Sequence, residues 1–319
     1  MRQSDAAGKR LAAKLDSHRF FELIPGERRH TLERDGAVIC YSVAPASESE
    51  RGAILFVHGA ASNASRWEAF AEKTPLRRHW KLLRLDLRAH GASDSLVPAT
   101  LERHADDMAA ILDAEGLARI IAVGHSLGAH AVMTFAVMHA ARIAGLVLID
   151  PLATGCLTQK ALGYVRQRPL LCMLEVLGRL ANAAGFKRRL PGYSLRREDE
   201  MAQAALSAGD DAREAFVRRY SSPWNDLKHM HLADYARDFL EVGRPTPPPE
   251  ALAAVGCPIL VIASSAGAYA DPVKLQSWAA KFNGECRTVR CVHWPLTECP
   301  EEISRLLEVW VEARISCAF

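Results

Sequence analysis

The sequence predicts an α/β fold: a mainly parallel sheet flanked by helices, with an inserted helical cap. Four short apolar runs, around 54–57, 82–87, 120–123 and 146–149, are rich in branched residues and close on Gly, Pro or Asp. Strands that are buried on both faces have this composition. Helical patterns separate the runs, and alternating strands and helices favour parallel pairing. A fifth run, at 258–263, follows the predicted cap.

Two further elements accompany these strands. The stretch "ERHADDMAAILDAEGL" places Met108, Ile111 and Leu112 on one helical face, and Gly116 suits a C-terminal cap. The stretch "HTLERDGAVICYSVAP" has a turn-forming Asp35-Gly36 pair between two extended runs. It predicts an antiparallel hairpin at an edge of the sheet.

The strand pattern breaks between Pro151 and about Pro249, where the chain has amphipathic helical patterns and ends on the stiff "RPTPPPE". We therefore predict a core formed by 1–150 and 250–319 and a cap formed by 151–249.

The apolar residues of the predicted cap are expected to pack on the sheet domain or to line an apolar pocket, and packing is the commoner outcome. They are Leu170, Leu171, Met173, Leu174, Val176 and Leu177. Basic residues in the stretch "KRRLPGYSLRR" are expected to form a solvated face, with docking of an anionic group as the alternative. They are Lys187, Arg188, Arg189, Arg196 and Arg197.

Composition excludes several classes of protein. The 319 residues carry a net charge of +3 from 40 basic and 37 acidic residues, which gives no strong reason to expect attraction to nucleic acid or to a membrane. No apolar run approaches the ~20 residues of a membrane span, and the start of the chain lacks the apolar core of a secretory signal. We therefore expect a cytoplasmic protein without a membrane span.

Cysteine and histidine usage predicts neither a disulfide framework nor a metal site. The eight cysteines contain no CxxC pair, and several are expected to be buried as small apolar groups. His229 and His231, in "KHMHL", lack a further Cys or His cluster that could complete a zinc site. We expect no metal and no organic cofactor.

The stretch "AVGHSLGAHAV" carries the main functional signal. Ser126 follows a predicted strand and precedes a helix of small residues, so it occupies a sharp turn that lifts its hydroxyl out of the sheet. Gly124 and Gly128 allow neighbouring backbone to pass close to this turn. A hydroxyl at the carboxyl end of a parallel strand is well placed for catalysis.

A serine hydroxyl needs a base to accept its proton, and His293 is the best candidate. It follows the short strand "CRTVRCV" and precedes the C-terminal helix, so its loop lies at the same rim as Ser126. His125 adjoins the serine, but adjacent residues of a tight turn point apart.

These residues, together with "HGAASNASRW", "DLRAHGASD" and "HWPLTECPEE", resemble the α/β-hydrolase family over nearly the whole chain. The resemblance implies a nucleophile, acid and histidine in that order along the chain. It places the acid on the loop after "PILVIAS", where "SSAGAYADPVK" departs from the family pattern and Asp271 is the nearest carboxylate. The alternative acid is Asp150, at the end of the preceding strand, and a structural capping role for Asp150 stays open.

The resemblance also implies an oxyanion hole formed by the backbone N–H groups of Ala60 and Leu127. His58 and Gly59 are then expected to shape the turn that carries Ala60. Trp67 is expected to anchor the following helix rather than to line the pocket.

The implied function is a serine hydrolase, a carboxylic-ester hydrolase of class EC 3.1.1, that cleaves a small ester, thioester or related acyl substrate through an acyl-enzyme. Ser126 excludes the dehalogenase and epoxide-hydrolase routes, for which the family uses Asp. Relatives with the same residues cleave C–C bonds, transfer acyl groups or act as cofactor-free haloperoxidases, and others only bind ligands. These alternatives stay open because fold resemblance alone does not choose among them.

Overall fold

A computed structural model describes residues 21–187, 190, 192–206, 209–220 and 222–315. Four subjects of the sequence predictions lie outside these residues. They are the first twenty residues, Arg188, Arg189 and Cys317.

The core is one nine-stranded sheet with strand order β1-β2-β4-β3-β6-β7-β8-β9, and β5 pairs with β2 off this path. β1, β2 and β5 pair antiparallel, as does β2 with β4, and every pairing from β4 through β3 to β9 is parallel. This confirms the mainly parallel sheet. The strands are β1 Arg28–Arg34, β2 Ala37–Ala44, β3 Gly52–Val57, β4 Trp80–Leu85, β5 Asp94–Ser95, β6 Ile120–His125, β7 Ile143–Ile149, β8 Ile259–Ser264 and β9 Glu285–Val289.

Helices cover the sheet and fill the stretch between β7 and β8. The α-helices are α1 Glu68–Lys73, α2 Leu101–Ala114, α3 Leu127–Met138, α4 Gln159–Arg166, α5 Arg168–Ala181, α6 Leu195–Leu206, α7 Asp210–Tyr220, α8 Pro223–Asp226, α9 Leu232–Val242, α10 Pro249–Ala254, α11 Pro272–Ala280, α12 Pro295–Glu298 and α13 Pro300–Arg314. Short 3-10 turns occupy Ala64–Trp67, Pro75–Arg78 and Ala140–Arg142, and a π-turn, Asn182–Phe186, extends α5.

Helix α2 forms as its sequence predicts. Met108, Ile111 and Leu112 are fully buried on one face, which packs into the hydrophobic core. The Thr100 side chain caps the start by accepting from the backbone N–H of Arg103, and Gly116 follows the end with a φ of +64°. The helix is thus set by one apolar stripe and a signal at each end.

The predicted hairpin is also present, with β1 at the edge of the sheet. Its turn residues Asp35 and Gly36 have φ values of +41° and +66°. Positive φ at both central residues is the requirement of the tight hairpin turn whose twist matches the two strands.

Gly124 and Gly128 bring helix α3 close to the strands on which it packs. A Cβ atom at Gly128 would lie 2.5 Å from the carbonyl oxygens of Val57 and His58, and one at Gly124 would lie 2.3 Å from the carbonyl oxygen of Gly128. Both distances are shorter than van der Waals contact. Glycine is therefore required on both sides of Ser126, as the sequence predicts.

The inserted segment, residues 151–249, docks on the core through polar contacts. Arg66 of the core forms a buried ion pair with Asp199 of α6. The Asn63 amide donates to the carbonyl oxygen of Tyr193 at 3.1 Å, and the Ser65 hydroxyl accepts from the backbone N–H of Leu195 at 2.8 Å. The division into core and cap stays a prediction, but this segment meets the loop after β3 directly.

Packing on the sheet, the commoner outcome expected for the apolar residues of the inserted segment, is wrong for four of them. Leu170, Met173, Val176 and Leu177 are exposed. The physical reason is that α5 packs on α9 through its opposite face, where Gly178 meets the backbone of Ala233.

The basic residues of the same segment are partly paired. Arg196 forms ion pairs with Glu68, Glu72 and Glu200, and Lys187 pairs with Asp94 at 2.9 Å.

One helical stretch of the described residues, Arg168–Phe186, is long and apolar enough to cross a membrane by length and composition alone. It differs from the sequence expectation because Glu175 and Arg179 interrupt the apolar residues without lowering their mean hydropathy below that of a span. The stretch is almost wholly unburied within the protein.

We expect Gly128→Ala to lower the free energy of unfolding by about 1–3 kcal/mol, because its methyl group overlaps backbone oxygens that cannot move aside. Urea denaturation measures the change. Gly163→Ala in α4 is the matched control, since a Cβ atom there meets nothing within 4 Å. It should be neutral or stabilise the helix by about 0.5–1 kcal/mol. If both substitutions changed the free energy of unfolding equally, the close packing of Gly128 on Val57 and His58 would be contradicted.

Candidate active site

Ser126 occupies a strained turn between β6 and α3. Its φ is +53° and its ψ −116°, a conformation that costs a non-glycine residue about 1–3 kcal/mol. The backbone N–H of Ser126 donates to the carbonyl oxygen of Ile149 at 3.0 Å, which fixes the turn to β7. The serine lies at the carboxyl ends of the parallel strands, where such sheets bind ligands.

His293 reaches Ser126 from the loop after β9. Its Nε2 atom lies 3.2 Å from the Ser126 hydroxyl oxygen, and both side chains are buried. The Glu298 carboxylate holds this loop by accepting from the backbone N–H groups of Val292, His293 and Trp294 at 3.0 to 3.2 Å. The structure thus brings together the alcohol and the imidazole that the sequence selects.

Asp150, at the end of β7, holds the other side of the ring. One of its carboxylate oxygens contacts Nδ1 of His293, and the second accepts from the backbone N–H of Ser264 at 3.0 Å. Asp150 has a φ of +45°, so the chain bends sharply as it leaves β7. This contact fixes the tautomer of His293: Nδ1–H donates to Asp150, and Nε2 is free to accept a proton from Ser126.

The structure brings Asp150, the alternative acid, to His293, and gives Asp271, the preferred acid, other partners. The Asp271 carboxylate caps helix α11, accepting from the backbone N–H groups of Val273 and Lys274 at 2.9 and 3.2 Å. Pro272 stands at the first position of that helix. Aspartate followed by proline is typical of the start of a helix. This signal in the sequence accounts for an aspartate at position 271 without a catalytic role.

The loop after β3 brings Ala60 beside the serine. A Cβ atom at Gly59 would lie 3.3 Å from Cβ of Ser126, so this loop packs directly on the turn. Among the described residues, neither the backbone N–H of Ala60 nor that of Leu127 has a hydrogen-bond acceptor in the protein.

His58 and Trp67 have the structural roles that the sequence predicts. The backbone N–H of Leu87 donates to Nε2 of His58 at 3.0 Å, so the Nδ1–H of this ring donates to the Gly59 carbonyl oxygen at 2.8 Å. Burial holds the pKa of His58 well below its usual value, and the neighbouring His90 lowers it further. Trp67 is fully buried and packs against Phe56 with 4.9 Å between ring centroids.

His125, next to the nucleophile, stays neutral. Its Nε2 atom lies 2.9 Å from the carbonyl oxygen of His293 and donates to it. Burial lowers the pKa of His125 to about 3, with a further contribution from the charge of His293. His125 therefore positions the loop of His293 and cannot serve as a second base.

Asp86 organises the loop after β4. Its carboxylate accepts from the backbone N–H groups of Ala64 and Ala92 at 2.7 and 2.8 Å. A Cβ atom at Gly91 would overlap this carboxylate at 2.4 Å, so Gly91 is obligatory. The motif "DLRAHGASD" thus acts through backbone contacts that stabilise the floor of the site.

Asp238 of α9 connects the inserted segment to the loop that carries Ala60. It accepts from the backbone N–H of Ala61 at 3.2 Å and from Nε2 of His90 at 2.8 Å. Ala61 has a φ of +49°, so its conformation depends on such support. Nδ1 of His90 also faces an acceptor, the Arg88 carbonyl oxygen at 3.0 Å, and hence both ring nitrogens must carry protons.

The charge state of His90 agrees with these contacts. Burial by itself disfavours the charged ring, but the charge of Asp238 and its hydrogen bond outweigh that effect and raise the pKa. His90 and Asp238 thus form a buried ion pair, which the sequence did not predict.

Two aromatic side chains flank the histidine. The ring of Tyr269 meets His293 edge-on with 4.6 Å between centroids, and Trp294 lies 5.7 Å away. These rings shield the imidazole from water on two sides.

Residues 21–187 and the other described ranges hold no group of three or more potential ligands that could bind a metal ion. The seven cysteines they contain are free thiols, and Cys40, Cys156 and Cys291 are buried.

Comparison with known proteins decides the family. The model of the alpha/beta hydrolase family matches residues 54–306, more than half of the chain. The chain belongs to the α/β-hydrolase family. The family predicted from the motifs is thereby confirmed.

Curated relatives of this α/β hydrolase match over a limited part of the chain. Lipase LipV of Mycobacterium tuberculosis is 32% identical over 98 residues, which is 31% of this chain and 36% of LipV. The putative carbamate hydrolase RutD of Caulobacter vibrioides is 32% identical over 102 residues, 31% of this chain and 37% of RutD. The chain thus spans about a third of the length of these relatives.

A solved structure shows the same fold over most of the chain. A hydrolase from Pseudomonas aeruginosa PA01 superimposes with a TM-score of 0.64 and 24% identity, covering 89% of this chain and 98% of that one. This likeness establishes the fold.

We expect the His90–Asp238 pair to stabilise the α/β hydrolase in a pH-dependent way. Because the pKa of His90 is raised above that of an unfolded histidine, near 6.5, the stabilisation is complete below about pH 6.5. It is lost as the pH rises through the raised value. The difference in unfolding free energy between wild type and His90→Gln should therefore be larger at pH 6 than at pH 9, as urea titrations measure.

The control for this prediction is His79→Gln, which removes a partly exposed histidine 3.5 Å from Glu48. Exposed ion pairs contribute about 0–1 kcal/mol, so its difference should be small at both pH values. A pH-independent difference for His90→Gln would show that the His90 ring is neutral in the folded protein.

Proposed function

We propose that this protein is a serine hydrolase that cleaves small carboxylic esters, thioesters or related acyl compounds through a Ser126-His293-Asp150 triad. One observation carries the proposal: His293 lies between the Ser126 hydroxyl at 3.2 Å and the Asp150 carboxylate. A base that faces a hydroxyl on one side and a carboxylate on the other is the arrangement that activates a serine.

The first half-reaction forms the acyl-enzyme. Nε2 of His293 accepts the Ser126 proton while the Ser126 oxygen attacks the substrate carbonyl carbon. Asp150 stabilises the resulting imidazolium and does not itself take the proton. The imidazolium then returns that proton to the leaving alcohol or thiol as the carbonyl re-forms.

The oxyanion that forms in this step would accept hydrogen bonds from the backbone N–H groups of Ala60 and Leu127. Both groups lack a protein acceptor among the described residues, and the loop of Ala60 packs on the turn of Ser126. Preorganised donors of this kind typically contribute a hundred- to a thousandfold in rate, at about 2.7–4 kcal/mol each.

The second half-reaction releases the acid. Water takes the place of the leaving group, His293 accepts one of its protons, and the hydroxide attacks the acyl carbon bound to Ser126. The bond between this carbon and the Ser126 oxygen then breaks, the imidazolium returns its proton to that oxygen, and the acid leaves. These steps use side chains and backbone of the chain alone. The names of the relatives, a lipase and a putative carbamate hydrolase, support cleavage of an acyl compound.

The inserted segment would act as a cap over this site. Its Asp238 holds the Ala61 backbone next to the proposed oxyanion donor Ala60, and Asp199 binds Arg66 in the turn that follows. The shape of the acyl pocket is therefore set in part by residues 151–249.

The test compares two asparagine substitutions in assays of p-nitrophenyl esters of increasing acyl length. Asp150→Asn should lower kcat by about 10⁴-fold, since the His293 tautomer is lost. Asp271→Asn is the matched control: asparagine caps a helix as well as aspartate does, so both kcat and stability should be unchanged. Ser126→Ala should abolish turnover.

The reverse result, full activity in Asp150→Asn and none in Asp271→Asn, would contradict the assignment of the acid. Turnover that survives Ser126→Ala would contradict the whole mechanism. Saturable binding of an ester without turnover in the wild type would favour a ligand-binding member of the family instead.

A further inference from the structure

Helix α5 presents an apolar stripe to solvent, which we call the α5 face. Its members recur at helical spacing on one side, and each is about half exposed. They are Leu170 (47%), Met173 (51%), Val176 (56%), Leu177 (53%) and Leu180 (62%). Phe186, at the end of the following π-turn, is 80% exposed. A contiguous apolar patch of this kind marks an interaction surface.

The opposite side of α5 is held by the protein. A Cβ atom at Gly178 would lie 2.9 Å from the backbone nitrogen of Ala233, so α5 and α9 are in close contact. Glu175 is buried and pairs with Arg237 of α9 and with Arg179. The α5 face therefore cannot turn inward without breaking a buried ion pair.

The exposed charges on the chain from Arg166 to Lys187 are of one sign. Glu175 is the only acidic residue between 166 and 187, and it is buried. Arg166 and Arg168 are exposed at the start of the helix, and the sequence continues after Phe186 with Lys-Arg-Arg at 187–189. Lys187 pairs with Asp94. The exposed surface of the helix thus combines apolar side chains with cations and offers no carboxylate.

We propose that the α5 face binds the surface of a lipid bilayer that contains anionic lipids. A helix with one exposed apolar face and exposed cations beside it is suited to lie in the plane of a membrane interface. The exposed cations Arg166 and Arg168 lie at the start of α5. Anionic headgroups would neutralise Arg166 and Arg168. A symmetric pair of chains joined α5 to α5 fits this face less well, because it would bring like cations together with no exposed carboxylate on either α5.

The α5 face is therefore a membrane-surface contact and not a span. The contact to α9 would have to break before Arg168–Phe186 could cross a bilayer, although its length and composition allow a span.

Co-sedimentation of the full chain with vesicles tests the proposal without any substrate. The wild type should bind vesicles of equal parts phosphatidylcholine and phosphatidylglycerol more tightly than vesicles of phosphatidylcholine alone. Leu177→Glu should weaken binding about tenfold, because a charge replaces a side chain that enters the apolar layer. The Arg166→Gln/Arg168→Gln double variant should weaken binding to the anionic vesicles alone.

The matched control is Val309→Glu on α13, which places the same charge on a valine that is 64% exposed but lies outside the α5 face. It should bind as the wild type does, and thermal unfolding should show that all variants fold. Equal weakening by Val309→Glu, or no binding of the wild type to the anionic vesicles, would overturn the proposal. A dimer in light scattering that Leu177→Glu dissociates, without vesicle binding, would assign the face to a second copy.

The readout is independent of the proposed hydrolysis. If the protein binds vesicles but cleaves no ester, the membrane proposal stands and the proposed hydrolysis fails. If the protein cleaves esters but does not bind vesicles, the membrane proposal fails and the proposed hydrolysis stands.

Discussion

The turn at Ser126 puts the backbone of α3 against two neighbouring strands, and the rest of the site is built around that contact. Gly128 meets the carbonyl oxygens of Val57 and His58 at the end of β3, while the Ser126 backbone N–H binds Ile149 at the end of β7. The ends of β3, β6 and β7 are thereby held at fixed spacing. Each of these strands is followed within a few residues by one residue of the site, and the strand ends therefore fix where these residues lie. The residues are Ala60, Ser126 and Asp150.

Histidine serves several purposes in this site because burial and partners set its charge. His58 and His125 are buried, donate to backbone carbonyls and stay neutral. His90 is equally buried, but Asp238 and the Arg88 carbonyl oxygen face its two nitrogens, so it carries a charge. Of these four rings, only that of His293 has a carboxylate on one nitrogen and a serine hydroxyl on the other, and it is buried with both partners. Depending on its contacts, a histidine in this site thus holds a loop in place, forms an ion pair or is a candidate base.

The sequence was sufficient to predict the sheet, the turn at Ser126 and the proximity of His293, since each depends on local pattern and on the rule that parallel strands end at one rim. It favoured Asp271 over Asp150 from the family resemblance, although both residues follow strands that end at that rim. In the structure, the left-handed bend at Asp150 and the helix cap at Asp271 separate the two carboxylates. Of these two features, only the helix cap has a signal in the sequence, the Asp271-Pro272 pair. Asp238 was not predictable, because its partner His90 lies 148 residues away in the chain. The sequence also did not predict that one side of α5 is exposed. An amphipathic pattern shows that a helix has an apolar face, but it does not show whether another part of the protein packs on that face.

The central claim is that the Ser126 hydroxyl is activated by His293 and Asp150. The most direct measurement is covalent labelling with a fluorophosphonate probe, followed by intact mass and peptide mapping, because the probe reacts with activated serines. We expect one probe per chain, attached at Ser126, and a much slower reaction when His293 is replaced by alanine. An unlabelled wild type, or a label on another serine, would contradict the account.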